Sequence, residues 1–416
     1  VAGFLGLALL VPFPMPYGLS LAWPQLVHAM LLEYIPFIIL LFALFTVAGG
    51  IRLTGSLVGT PKVNALLLLI GTLLASWMGT TGAAMLLIRP LLRANAHRRY
   101  KVHTVIFFIF LVANIGGSLT PLGDPPLFLG FLQGVDFFWT LTHLFMPMMT
   151  MVIILLALYF LLDSFLYGKE GKPVPPGADS GEKLGLDGKV NFILLAFIVL
   201  SVLMSGMWQP GKSYHFYEVE VELQNIVRDI LLLCIAGLSL KLTSDECRKL
   251  NEFSWGPIEE VGKLFLGIFI SMIPALAILK AGNEGALSSI VGLVSTNGVP
   301  HNPMFFWLTG ALSSFLDNAP TYLVFFNTAG GIVVPPLEAK AVAGHLMTDM
   351  APTLTAISAG AVFMGANTYI GNAPNFMVRS IAEDMGVKMP SFFGYMAWSC
   401  GILVPLFVVL TFIFFT

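Results

Sequence analysis

Two aspartates stand in apolar stretches of the sequence, each beside small and helix-breaking residues. Asp124 lies in NIGGSLTPLGDPPLF at 114–128, and Asp317 lies in SSFLDNAPT at 313–321. A carboxylate within a membrane span costs about 2.5–3.5 kcal/mol on insertion scales, and such groups usually mark a path for ions or protons. The alternative is that each aspartate caps a half-helix, with its side chain accepting backbone N–H hydrogen bonds.

Oxygen-bearing side chains surround both aspartates. Asn114 and Thr120 precede the first, while Asn318 and Thr321 follow the second. Hard oxygen ligands suit a sodium ion, and a carboxylate that is removed from water suits proton exchange. The sequence therefore predicts that sodium, protons or both bind at the two aspartates, and it indicates no other cofactor.

The composition indicates an integral membrane protein. Of the 416 residues, 57% are hydrophobic and 11% are charged, and the mean hydropathy is +0.86. Too little polar surface is available to cover a soluble globule. Apolar runs of about twenty residues, long enough to cross about 30 Å of hydrocarbon, recur along the chain. An all-α polytopic fold in contact with membrane lipid follows.

Other classes of function find little support in the sequence. A formal net charge of −2 gives no indication of nucleic acid as a partner. The sequence contains no recognisable nucleophile–base pair or cluster of metal ligands, so we do not expect an enzyme.

Two pairs of segments repeat along the chain. GANTYIGNAPNF at 365–376 aligns without a gap with 117–128, and this places an asparagine opposite the first aspartate. SWMGTTGA at 76–83 aligns in the same way with SFLDNAPT at 314–321. Each half therefore has two polar breaks. Irregular backbone at membrane depth persists only where protein or a wet cavity satisfies its N–H and C=O groups.

The distribution of positive charge predicts the orientation of the two halves. The stretch 89–103 contains five Lys and Arg residues, and such loops remain in the cytoplasm. We expect 63–92, which lies between Lys62 and this cluster, to enter and return as a re-entrant hairpin; two short spans with a tight turn are the alternative. The stretch 303–330 repeats the pattern with flanks that contain no Lys or Arg. The second half is therefore expected to be inverted.

These features divide the chain into two inverted repeats and a cytoplasmic linker that is rich in Gly, Pro and mixed charge. The expected bounds are 1–165 for the first repeat, with a hairpin at 63–92 and a broken helix at 104–134, 166–189 for the linker, and 190–416 for the second repeat, with an interfacial helix at 242–258, a hairpin at 303–330 and a broken helix at 343–384. Breaks that converge near the membrane midplane are typical of secondary transporters.

The motifs NIGGSLTPLGD at 114–124 and SSFLDNAPT at 313–321 resemble signatures of the ion transporter superfamily. Within it they are most similar to NhaD-type sodium/proton antiporters and to the related citrate-transporter branch. The resemblance covers the whole chain as two inverted halves. It implies a transport domain of hairpins and broken helices that makes an elevator-like motion against a scaffold, in a homodimer in a bacterial-type inner (plasma) membrane.

The resemblance, carried over position by position, implies two cation sites. One consists of Thr80, Thr81, Asn114, Thr120 and Asp124, and the other of Asp317, Asn318, Thr321, Asn367, Thr368 and Asn372. NhaD-type proteins have an acidic residue at the first hairpin tip, where this chain has GTTG at 79–82. This departure leaves room for a substrate anion near the tip. The serine–asparagine–threonine tips of dicarboxylate symporters are also absent.

The leading hypothesis from the sequence is a sodium/proton antiporter in which Asp124 and Asp317 alternately bind sodium and protons. It rests on two membrane-embedded carboxylates and on breaks without an obligatory basic residue. The alternative is a sodium- or proton-coupled transporter of a carboxylate such as citrate, in which half-helix N-termini hold the anion and one aspartate holds the coupling ion. A basic side chain that reaches the midplane would favour this alternative.

Overall fold

Helices account for most of the structure, which is a computed structural model. It describes residues 19–55, 57–173, 185–217, 219–280, 292–296, 298–332 and 339–416. Within these ranges six helices are long and apolar enough to cross a membrane, and the bent pair Ala341–Thr348 and Ala351–Asn367 makes a seventh span if it is counted as one. The expectation of an all-α, multi-pass membrane protein is thereby confirmed.

The described part of the first half is a succession of helices with short connections. They are α1 (Leu19–His28), which continues through a π-helical turn (Ala29–Tyr34) into α2 (Ile35–Ala48), then α3 (Pro61–Met78), α4 (Thr80–Ala94), α5 (Val102–Leu111), α6 (Pro125–Leu132) and α7 (Trp139–Lys169).

A single residue, Gly79, separates α3 from α4. Its φ of +81° is in a region that glycine adopts freely and other residues rarely do. This conformation lets α4 pack back against α3. The stretch predicted as a hairpin at 63–92 is thus a pair of helices with its tip at Gly79.

The chain between α5 and α6 is not a continuous helix. A 3₁₀ turn occupies Ile115–Ser118, and residues 119–124 belong to no helix before α6 begins at Pro125. Pro125 and Pro126 occupy the first turn of α6, where their missing N–H groups cost little. The preceding helix, α5, already ends at Leu111, ten residues before Pro121, so PLGDPP does not end it and instead starts the next helix with its two final prolines.

The second half has more helices. They are α8 (Val190–Met207), α9 (Leu223–Leu242), α10 (Asp245–Leu250), α11 (Gly256–Lys280), α12 (Asn302–Phe315), α13 (Asn318–Ile332), α14 (Ala339–Thr348), α15 (Ala351–Met364), α16 (Ala373–Asp384) and α17 (Phe392–Leu410), the last of which continues as a π-helical turn (Thr411–Phe415).

Two elements of the second half differ from the expectation. The interfacial helix expected at 242–258 is shorter, since α10 ends at Leu250 and the chain turns before α11. The broken helix expected at 343–384 has an additional bend of 96° between α14 and α15. Pro352 in the first turn of α15 explains this bend, because a proline cannot continue the preceding helix.

Three short antiparallel strand pairs connect loops at the ends of helices. They are β1 (Arg52–Thr54) with β2 (Gly185–Asp187), β3 (Ser213–Phe216) with β4 (Val219–Glu222), and β5 (Ser295–Thr296) with β6 (Val299–Pro300). The first pair joins the end of the linker to the loop after α2. Residues 174–184 of the linker and residues 1–18 of the first repeat lie outside the described residues.

Helices from opposite halves pack against each other at the four breaks. In the first half, α4 packs against α16 of the second half, and α6 packs against α13. Each helix pair predicted as a hairpin thus contacts the broken helix of the other half. These contacts between the two halves bring residues that are distant in sequence close together in the structure.

Candidate functional site

Asp124 lies where the four breaks meet. It is only 1% exposed. The Oδ1 atom accepts hydrogen bonds from Thr80 Oγ1 at 3.1 Å and from Asn372 Nδ2 at 3.0 Å, and Oδ2 accepts one from Asn318 Nδ2 at 2.5 Å. These donors stand at the starts of α4, α16 and α13. One carboxylate therefore receives a hydrogen bond from each of the three other breaks.

The two aspartates differ in what they do for their own helices. Asp124 occupies the N-cap position of α6 but makes no capping hydrogen bond to it. Asp317, which is half-buried, accepts a hydrogen bond from the Ala319 N–H at 3.1 Å. The capping interpretation that the sequence left open thus applies to Asp317, whereas the carboxylate of Asp124 binds other elements.

Aligned residues make matching hydrogen bonds in the two halves. Thr120 Oγ1 donates to the carbonyl of Ser76, and Thr368 Oγ1 donates to the carbonyl of Ser314 at 2.5 Å. Unwound backbone at membrane depth needs such partners. These threonines therefore hold each break against the end of the first helix of its hairpin.

Asn114 and Asn375 join the two broken helices to each other. Both side chains are fully buried, and Asn114 Nδ2 donates to Asn375 Oδ1 at 2.6 Å. The amide nitrogen of Asn375 donates to the carbonyls of Gly365 and Thr368 at 2.9 Å each. The sequence did not point to Asn375, because its counterpart in the repeat alignment is Leu127.

The remaining predicted residues lie around this centre. Asn367 Nδ2 donates to Ser314 Oγ at 2.9 Å, and Thr321 Oγ1 donates to the carbonyl of Asp317 at 3.0 Å. Thr81 lines the cavity described below. Hydrogen bonds from Asn318 and Asn372 to Asp124 therefore link the two predicted sets of residues.

The side-chain oxygen of Asn318 lies near Asp124. Asn318 Oδ1 is buried without a partner among the described residues, although the same amide donates to Asp124. An amide oxygen beside a carboxylate is a suitable pair of ligands for a hard cation. No group of three His, Cys, Asp or Glu side chains in the described part of the chain could hold a metal ion. A cation here would thus be bound by one carboxylate and neutral oxygens.

A cavity of about 760 Å³ reaches this centre. The starts of four helices line it, represented by Thr81 of α4, Pro125 of α6, Asp317 before α13 and Ala373 of α16. Each helix N-terminus carries a partial positive charge. The cavity thus combines positive helix ends with carboxylates, an arrangement that can hold an anion and a cation together.

The charged side chains that line the cavity are mostly acidic. Among the described lining residues, the carboxylates are Asp124, Glu252, Glu260, Asp317 and Asp384, and Arg89 is the cationic side chain. The sequence placed Arg89 in the basic cluster at 89–103 and not in the site. Its position on the cavity wall follows from the packing of α4 and could not be read from the spacing of residues.

A second buried cluster of charges lies outside the lining of this cavity, near the start of α3 and the loop after α4. Asp163 of α7 is fully buried, and its Oδ1 lies 2.7 Å from Arg98 Nη2 and 2.9 Å from His103 Nε2. Its Oδ2 accepts hydrogen bonds from Asn64 and Tyr159, both at 3.1 Å. Burial disfavours the charged form of Arg98, but the hydrogen bond and charge of Asp163 raise the pKa of Arg98. The cluster binds α3, α5 and α7 into one unit.

The sequence matches a family of transporters along almost its entire length. A family model described as "Putative citrate transport" matches residues 1–415. No curated protein matches the chain. The match supports the citrate-transporter branch of the resemblance, and it does not show the expected closeness to NhaD-type antiporters.

Proposed function

The chain belongs to this citrate transport family, and on that premise we propose that it is a secondary active transporter of a carboxylate such as citrate, driven by a cation that binds at Asp124. The observation that carries the proposal is the cavity, in which four helix N-termini meet a buried carboxylate. Membrane transport by such an arrangement needs no catalytic group. Citrate and its coupling cation are the substrates.

The tip at Gly79 is the proposed site for a carboxylate of the cargo. Gly79 precedes α4 and has no side chain that could cap the helix. The Thr80 N–H donates to the carbonyl of Gly123 at 2.9 Å. The N–H groups of Thr81 and Gly82 belong to the first turn, where a helix supplies no acceptor of its own. A carboxylate can accept from them at the positive end of the helix.

Asp124 is the proposed site for the coupling cation. Its hydrogen-bond partners Thr80, Asn318 and Asn372 are all neutral. A buried carboxylate with only neutral partners carries a large desolvation penalty, which a bound cation offsets. Asn318 Oδ1 supplies a second oxygen ligand beside it. Sodium or a proton bound to Asp124 would therefore stabilise the hydrogen-bond network formed with Thr80, Asn318 and Asn372.

The acidic lining of the cavity limits the form in which an anion can enter. Five carboxylates and one arginine line it among the described residues, so the local field repels a bare polyanion. A carboxylate whose charge is offset by a bound metal cation is repelled less. We therefore propose that the cargo is transported together with cations, bound either at Asp124 or to the carboxylate itself.

A sodium/proton antiporter is the second candidate. The same acidic lining favours it, because carboxylates attract sodium ions and exchange protons. In this alternative the four helix N-termini stabilise the ionised form of Asp124 and bind no organic anion. The two candidates make opposite predictions for transport in the absence of a carboxylate.

The proposed mechanism uses two inverted repeats, 1–165 and 190–416, whose hairpins and broken helices form a transport domain that moves in an elevator-like motion against a scaffold of the remaining spans. The matching bonds from Thr120 to Ser76 and from Thr368 to Ser314 support the repeat. The contacts of α4 with α16 and of α6 with α13 support a common moving unit. We also propose that the protein is a homodimer in a bacterial-type inner membrane.

Purified protein in liposomes that hold a pH-sensitive dye would test the proposal. Citrate would be added with and without sodium, and with and without magnesium, while labelled citrate is followed. We expect citrate movement that requires a cation. A proton flux triggered by sodium or lithium alone, without citrate movement, would refute this proposal in favour of the antiporter.

A further inference from the structure

Arg89 lies on the cavity wall at a distance from the proposed anion site. It is eight residues after Thr81 on α4, which corresponds to about 12 Å along the helix axis. One small carboxylate cannot span this distance. Since α4 ends next to the basic loop that is expected in the cytoplasm, Arg89 lies toward the cytoplasmic end of the cavity.

Arg89 binds a carboxylate of the protein itself. Its Nε lies 2.9 Å from Glu252 Oε2, and its Nη1 donates to the carbonyl of Asn251 at 3.5 Å. The side chain of Arg89 is 14% exposed, whereas that of Glu252 is 68% exposed. Arg89 is therefore the fixed member of the pair, and Glu252 is the member that another carboxylate could replace.

The turn that carries Glu252 is anchored to the end of α2. Arg248 Nη1 donates to the carbonyl of Thr46 at 2.9 Å, and Asn251 Nδ2 donates to the carbonyls of Gly49 and Ile51 at 3.0 and 3.1 Å. Glu252 itself has a φ of +54°, in a region where a helix usually ends on glycine. A side chain held in this uncommon conformation on an anchored turn is aimed at Arg89.

We propose that Arg89 is the first residue on the cytoplasmic side to bind a carboxylate group of the cargo, and that Glu252 occupies it until the cargo arrives. This inference rests on the proposed function. A cargo carboxylate makes the same kind of charge-assisted hydrogen bond to the guanidinium as Glu252 does, so one can replace the other. The exchange also breaks the ion pair between α4 and the turn after α10 and leaves only the longer hydrogen bond from Arg89 to the Asn251 carbonyl, and the arrival of cargo thereby loosens the hold on the helix pair α3–α4.

Inside-out membrane vesicles test this inference because they expose the cytoplasmic mouth to added citrate. The initial rate of labelled citrate uptake would be measured against citrate concentration, at fixed sodium and magnesium, for Arg89→Gln, Glu252→Gln and the double variant. Arg89→Lys serves as the conservative variant. Lys263→Gln is the matched control, since Lys263 belongs to an exposed ion pair with Glu259 on α11.

The two single variants should shift the half-saturating citrate concentration in opposite directions. Arg89→Gln should raise it about tenfold, the effect of one lost charge-assisted hydrogen bond, and the double variant should behave in the same way. Glu252→Gln should lower it because the cargo no longer competes with a carboxylate for Arg89. Arg89→Lys should recover part of the loss, and Lys263→Gln should match the wild type.

If the ion pair between Arg89 and Glu252 had only a structural role, either single variant would break it and both would shift the half-saturating citrate concentration in the same direction. Shifts of Arg89→Gln and Glu252→Gln in the same direction, or an unchanged value for Arg89→Gln, would therefore overturn the inference. Wild-type vesicles that move no citrate would instead refute the proposed function. The two failures are distinguishable because the second is seen with the wild-type protein alone.

Discussion

Replacing Asp124 with asparagine removes a charge and nearly preserves the shape of the side chain. The new amide has one oxygen and one NH₂ group in place of two oxygens that accept three hydrogen bonds. Asn318 can adapt to the change, because rotating its amide turns the unpartnered Oδ1 toward the new NH₂ group. The variant can therefore satisfy its hydrogen bonds without moving a helix.

Two opposing effects determine the stability of Asp124→Asn. Three hydrogen bonds to a charged group, worth about 1.5–3 kcal/mol each, become neutral ones worth about 0.5–1.5 kcal/mol. Loss of the buried charge removes a desolvation penalty of several kcal/mol. The free energy of unfolding should therefore change by no more than about 2 kcal/mol.

Cation binding should change much more than stability. A unit charge about 4 Å from the carboxylate gains about 4 kcal/mol at an effective dielectric constant of about 20. Its loss corresponds to a roughly thousandfold weaker cation affinity. We expect cation-coupled citrate transport in liposomes to disappear while thermal unfolding in detergent stays near that of the wild type.

The result that would refute this reasoning is wild-type, cation-dependent transport by Asp124→Asn. The double variant Asp124→Asn/Asn372→Asp is a sharper control, because it moves the carboxylate to the residue whose amide lies 3.0 Å from Asp124 Oδ1. Cation dependence should reappear in this variant. Asn372→Asp alone places two carboxylates side by side and should weaken transport by repulsion.

Two further variants test other parts of the structure. Asp163→Asn should lower the free energy of unfolding by about 2 kcal/mol, measured by denaturant titration in mixed detergent, since it replaces the charge-assisted hydrogen bonds of Asp163 with neutral ones and leaves Arg98 with Glu170, 3.3 Å away, as its charged partner; an unchanged midpoint would contradict the role of this cluster. Gly123→Ala should abolish transport, because a Cβ there would meet the carbonyl oxygen of Gly117. Gly331→Ala, whose Cβ would have nothing within 4 Å, is its control and should transport normally.

The positions of the helix breaks could be predicted from the sequence because local chemistry causes them. Pro125 and Pro126 lack N–H donors, and Gly79 adopts a positive φ without strain. An aspartate in an apolar stretch is equally visible, which is why the sequence indicates Asp124. Features that depend on one or two residues and their immediate neighbours can thus be predicted from the order of residues alone.

The contacts between breaks could not be predicted in the same way. The family resemblance assigned Asn318 and Asn372 to a separate site, yet both donate to Asp124 because α13 and α16 pack against helices of the first half. Arg89 reaches the cavity for a similar reason. The alignment of the two repeats did not identify Asn375 as a site residue, since the other repeat has a leucine at the matching position. Such features depend on how distant segments pack, and one sequence contains no direct record of that.

The convergence of distant segments on Asp124 has a consequence for biosynthesis. Asn318 and Asn372 follow Asp124 by 194 and 248 residues. At about 5–20 residues per second, a ribosome needs roughly 10–50 s to add them. During that interval the newly inserted first half has Thr80, but neither asparagine, to bind its carboxylate. The nascent chain must keep Asp124 protonated, hydrated or in contact with the insertion machinery until the second half is translated, so the two halves cannot mature one after the other.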